Sequence, residues 1–69
     1  MPYQLTESAW LTRETQRIKG VLLQWMCHDI AYDGAAMKDR CRRLGLVYTD
    51  AEFLQLRDVL IVDGTIGAV

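Results

Sequence analysis

Apolar residues recur at helical spacing in three blocks along the chain. In the first block Leu11, Ile18, Leu22 and Trp25 follow an i, i+7, i+11, i+14 series, which marks one face of a helix. Trp10, Val21 and Met26 flank that stripe, and Arg13, Glu14, Gln16, Arg17 and Lys19 fill the other face. Thr6 or Ser8 can cap the start by accepting bonds from the free N–H groups of the first turn. Asp33-Gly34 marks a turn at the far end. This pattern predicts a helix over about 7–31. Gly20 lies inside it, costs about 1 kcal/mol relative to Ala, and suits a close helix–helix approach.

In the second block Met37, Cys41 and Leu44 stand at i, i+4, i+7 and predict a shorter helix over 35–44, with Gly45 as a left-handed C-cap. Leu46-Val47-Tyr48 reads as a short extended link whose apolar side chains pin the turn into the core. Thr49, with Glu52 three residues on, has capping-box spacing, and Asp50 and Glu52 suit the positive end of a helix dipole. Phe53, Leu56 and Leu60 form the core stripe of a third helix over 50–62, which Asp63-Gly64 stops. Residues 65–69, β-branched and apolar, read as a short strand. The expected fold is mostly α, with three helices and a short C-terminal strand.

Length and composition change this picture in one respect. Sixty-nine residues make a single domain near the lower size at which one core suffices, yet 51% of them are apolar. The first helix carries more apolar side chains than two short helices and a strand can cover. Trp and Met are also frequent in contact surfaces. Trp10, Leu11, Leu22, Trp25 and Met26 are therefore the expected interface of a homodimer, the alternative being that all of them pack internally. The high apolar content and the net charge of −1 speak against disorder.

Charge is unevenly distributed. Residues 34–48 hold Lys38, Arg40, Arg42 and Arg43 against Asp39 alone, whereas residues 49–69 hold Arg57 against Asp50, Glu52, Asp58 and Asp63. The centre is a basic island and the tail is acidic. Such an island can neutralise phosphates and release counterions, or it can be a solvated face that keeps a half-apolar protein soluble.

Catalytic and metal chemistry is thin. Cys27, His28 and Cys41 offer at most three soft ligands with no CxxC pair, short of the four of a structural zinc site. No GxGxxG, GxxxxGK[ST] or GxSxG motif is present. Neither an enzyme nor a bound metal, cofactor or small-molecule substrate is expected. With two cysteines, no apolar run longer than four residues, and neither a basic nor an apolar region at Met1-Pro2-Tyr3-Gln4, the expected setting is reduced, cytoplasmic and away from membranes.

The order of long helix, short helix, glycine turn, capped helix, Asp-Gly and short strand resembles the winged-helix branch of the helix-turn-helix proteins. The residues that carry the likeness are Met37 to Gly45, Val47-Tyr48-Thr49, Phe53, Leu56, Leu60 and Asp63-Gly64-Thr65-Ile66. The chain looks most like the small winged-helix proteins of Mu-like bacteriophages, over about residues 8–66. The resemblance implies a winged-helix-like domain with a short or vestigial wing. It also implies a small DNA-binding or transcription-associated protein, with double-stranded DNA and a second copy as partners. The capped helix would then be the recognition helix. Within it Asp50 and Glu52 are repelled by phosphate, while Gln55 and Arg57 have base-reading chemistry. The expected DNA contacts are Lys38, Arg40, Arg42, Arg43, Gln55 and Arg57. The alternative is a protein-interaction or oligomerisation module on the same fold without DNA binding.

Overall fold

The structure is a computed structural model that describes residues 1–68. It holds three helices: α1 (Glu7–Trp25), α2 (Gly34–Arg43) and α3 (Asp50–Val62). The long helix lies against both shorter ones. Ile18 and Leu22 of α1, Met37 and Cys41 of α2, Tyr48 of the connection, and Phe53, Leu56 and Leu60 of α3 make up the buried core. The stripes read from spacing supply this core, except that Leu44 at the end of the second stripe and Val47 of the link are exposed, because the turn after α2 carries them away from the other helices. Leu22 is buried among them and is closed to a second copy, which corrects its expected place in a dimer interface. Leu11, Trp10, Trp25 and Met26 are half-buried around the same core.

Each helix start is made by a side chain. Thr6, rather than Ser8, caps α1 by accepting from the Ala9 N–H at 3.1 Å. Asp33 caps α2 by accepting from the Ala36 N–H at 2.7 Å. At α3 the capping box closes in both directions: Thr49 Oγ1 accepts from the Glu52 N–H at 3.1 Å, and Glu52 Oε1 accepts from the Thr49 N–H at 2.8 Å. That reciprocal pair explains why α3 spans the expected residues without adjustment.

The first helix is six residues shorter than its apolar periodicity predicts. It stops at Trp25, and Met26 is extended at φ −75°, ψ 135°. A tertiary contact outweighs the pattern here. The Tyr32 ring lies on Trp25 with centroids 4.7 Å apart. Its hydroxyl accepts from the Cys27 N–H at 2.8 Å, satisfying an amide that the broken helix frees. Arg40 reaches over Trp25 from α2, 5.8 Å from the ring centroid. Leaving the helix therefore covers the indole, which continuing it would not do.

Both shorter helices end in the same glycine turn. After α2, Gly45 adopts φ +87°, its N–H donates to the Arg42 carbonyl at 3.1 Å, and the Leu46 N–H donates to the Cys41 carbonyl at 2.9 Å. After α3, Gly64 adopts φ +83°, its N–H donates to the Ile61 carbonyl at 3.2 Å, and the Thr65 N–H donates to the Leu60 carbonyl at 3.0 Å. This paired pattern satisfies the last carbonyls and reverses the chain. The second turn also removes the expected strand. The Ile66 N–H donates to the Leu60 carbonyl at 3.3 Å, and Asp63 Oδ1 accepts from both the N–H and the hydroxyl of Thr65. Held this way, the chain folds Ile66 back onto the core instead of extending. Residues 65–68 form no strand, and Val69, the last residue of the expected one, lies outside the described residues.

Two glycine substitutions should therefore have opposite signs. Gly20 is mid-helix with nothing within 4 Å of an added methyl group, so Gly20→Ala is expected to stabilise the protein by about 1 kcal/mol. Gly45→Ala places a side chain at positive φ and is expected to cost about 1–2 kcal/mol. Midpoints of urea unfolding measure both.

Candidate functional site

The six basic and amide side chains picked out by sequence do not converge on one surface. Lys38, Arg42 and Arg57 share a groove of about 670 Å³ between α2 and α3, together with Asp39 and Asp50. Phe53, Leu54, Gly34 and Ala35 line the rest of it. Gln55 points elsewhere, toward a shallow surface with Trp10 and Glu52. Arg40 lies on the far side over Trp25, and its Nε is buried without a hydrogen-bond partner. Arg43 stands outside the groove, on the last turn of α2.

Within this arrangement most of the positive charge is already answered. Lys38 donates to Asp50 across the α2–α3 junction. Arg42 and Arg43 both donate to Asp39, at 2.8 and 2.9 Å, one and the same carboxylate serving i+3 and i+4 partners. Arg57 pairs with its neighbour Asp58 at 3.0 Å. The Arg42 hydrogen bond, followed by the charge of Arg43, holds the Asp39 carboxyl below its ordinary value. Lys38 does the same to Asp50. Elsewhere Lys19 reaches Asp63, and Arg13 and Arg17 reach Glu14. Among the described residues Arg40 alone of the eight lysines and arginines has no carboxylate partner.

Two polar side chains are buried, Thr15 and Glu14, and the charged one is a residue that sequence placed outside. Glu14 sits with the outward-facing charges in the helical pattern, yet it is only 5% exposed. Its Oε1 accepts from the Tyr48 hydroxyl at 3.1 Å, and its Oε2 accepts from Arg13 Nε at 2.6 Å, with Arg17 Nη1 at 3.5 Å. Burial alone raises the Glu14 pKa. The Arg13 and Tyr48 hydrogen bonds and the charges of Arg17 and Arg13 outweigh it, so the carboxyl titrates below the usual 4.5. The reverse holds for Tyr48, which burial and then the Glu14 carboxylate push far above its ordinary value. The Trp10 ring meets Tyr48 edge-on at 6.4 Å. An outward reading of Glu14 follows from helical spacing; only the position of Tyr48, 34 residues away, reverses it.

A second groove of about 430 Å³ runs between the end of α1 and the final turn, along Leu23, Met26, Ile30, Tyr32, Met37 and Ile66. The two cysteines are unpaired: Cys27 is exposed, and Cys41 is buried, which pushes its thiol up. Among the described residues no three His, Cys, Asp or Glu side chains are grouped to hold a metal ion, and no helix is long and apolar enough to cross a membrane. Compared with known proteins, the chain matches no family model, no curated protein and no solved structure.

The Glu14–Tyr48 contact has a pH signature. A carboxyl whose folded pKa is depressed contributes stability that is present above its unfolded value and is lost as pH falls through the folded one. Stability should thus decline as pH drops below 4.5. Tyr48→Phe should cost about 1–3 kcal/mol at neutral pH, as expected for a buried hydrogen bond to a charged group. Because Glu14 then titrates nearer its ordinary value, the deficit should narrow in acid. Chemical denaturation of both proteins at neutral and acidic pH reads the difference.

Proposed function

We propose that the chain is a small three-helix, helix-turn-helix-like module that acts through protein contacts, without enzymatic chemistry and without duplex DNA as its main partner. The neutralisation of the basic island carries this reading. A DNA-binding face presents lysines and arginines free to replace counterions along the phosphates. Here Lys38, Arg42, Arg43 and Arg57 each face a carboxylate, and Arg40 is folded over an indole. The start of α3, which would enter the major groove in a helix-turn-helix protein, carries Asp50 and Glu52. Large apolar side chains meanwhile stand exposed on several sides, among them Leu23, Ile30, Leu54 and Val62. Exposed apolar side chains of this size supply area that a protein partner can bury.

One observation favours the alternative, a DNA-binding or transcription-associated role. The Arg42 and Arg43 side chains are 68% and 71% exposed, and their shared carboxylate is a solvent-screened partner that a phosphate can displace. Gln55 is also exposed on α3.

Titration of the protein against duplex DNA over a range of salt concentrations separates the two. The protein-contact reading expects no saturable binding even at low salt. Binding that weakens steeply with salt, and whose slope flattens in the Arg42→Ala/Arg43→Ala double variant, would establish the alternative in its place.

A further inference from the structure

The outward face of α3 has a self-complementary order. Leu54 and Ile61 lie two turns apart on it, 47% and 41% exposed, with Arg57 and Asp58 between them and Val62, 88% exposed, at its edge. Read from either end the face runs apolar, charged, charged, apolar, with the signs of the two charges exchanged. Two copies of α3 laid antiparallel about a twofold axis between positions 57 and 58 would therefore set each Arg57 against the other copy's Asp58. Each Leu54 would meet the other copy's Ile61. A twofold interface needs this property, because the same patch must serve both sides.

The groove at the start of α3 supplies a second complementarity. Leu54 forms its edge, Phe53 its floor, and Gly34 and Ala35 a wall without bulk. A methyl group added at Gly34 would stand 3.9 Å from the Phe53 ring. The groove's charged side chains are Lys38, Arg42 and Arg57 against Asp39 and Asp50, a positive excess. In the antiparallel arrangement the part of the second copy that reaches this groove is the end of α3, with Asp58, Ile61 and Val62: one acid and two apolar side chains. Within one copy Arg57 and Asp58 pair on an open, screened surface. Across an interface that excludes water the same two charges attract more strongly and also fix the register.

We propose that α3 is the dimerisation helix, pairing antiparallel with α3 of a second copy through Leu54, Arg57, Asp58 and Ile61 and seating the second copy's Ile61 and Val62 at the α2–α3 groove. This rests on the protein-contact reading and names the partner. It also moves the interface away from α1, where Leu22 is core and Trp10 and Trp25 are engaged with Tyr48 and Tyr32.

Sedimentation velocity of the whole chain over a series of concentrations tests it. The variants are Ile61→Glu, Arg57→Asp and the exchange Arg57→Asp/Asp58→Arg. Both apolar and charged positions lie outside the buried core, so helicity by circular dichroism should match the parent. The parent is expected to sediment as a concentration-dependent dimer. Ile61→Glu and Arg57→Asp should each raise the dissociation constant about tenfold or more, because like charges or a carboxylate then face a closed surface. The exchange should recover most of that loss. A parent that stays monomeric at its highest soluble concentration overturns the proposal, as does a dimer indifferent to Ile61→Glu, or one lost in Arg57→Asp and not restored by the exchange. A monomeric parent that also binds no DNA would overturn the self-pairing alone; salt-dependent DNA binding would overturn the protein-contact reading itself.

Discussion

The buried carboxylate of Glu14 is the contact around which the three helices are arranged. A charge withdrawn from water must be met by other polar groups or it destabilises the fold by several kcal/mol, about what an unpaired buried ion costs. Here Arg13 and Arg17 reach it from the same helix, and the Tyr48 hydroxyl reaches it from the connection between α2 and α3. The tyrosine fastens that connection to the middle of α1. With the link anchored there, Met37 and Cys41 on one side and Phe53 and Leu56 on the other fall onto Ile18 and Leu22. Trp10, half-buried, packs edge-on against that tyrosine.

The same economy governs the surface. A run of four cations over 38–43 looks like a phosphate-binding patch when read along the chain, because acids are counted only where they are adjacent. In three dimensions one intervening acid, Asp39, serves two arginines at i+3 and i+4, and Asp50, twelve residues on, meets Lys38. The island is thereby divided among local pairs, and its remaining arginine spends its planar face on Trp25. Exposed ion pairs of this kind add little to stability, but they set which faces of the molecule repel or accept a polyanion. They leave the apolar stretches of α3 and of the second groove as its distinctive surfaces.

Much of the backbone was written locally. Thr49 and Glu52 define the start of α3, Asp33 that of α2, and Gly45 and Gly64 take the left-handed conformation at both stops. Each of these depends on groups within a few residues of one another, and so does the alignment of Phe53, Leu56 and Leu60. The candidate site was less legible. Lys38, Arg42 and Arg57 do meet in one groove, whereas Gln55, Arg40 and Arg43 diverge from it, because helical spacing says which residues share a face and not which faces of two helices adjoin.

What this sequence determined by itself was therefore a set of three helices, their caps, their glycine stops and their apolar stripes, all consequences of hydrogen bonds and side-chain directions repeating over one or two turns. Tertiary structure decided the rest. It ended α1 at Trp25 because the Tyr32 ring and hydroxyl offer more to the indole and the Cys27 amide than further helix would. It also drew Glu14 inward to a tyrosine 34 positions away. In both cases the deciding partner is fixed by packing or by a reversal of the chain, so apolar periodicity along the sequence carries no trace of it.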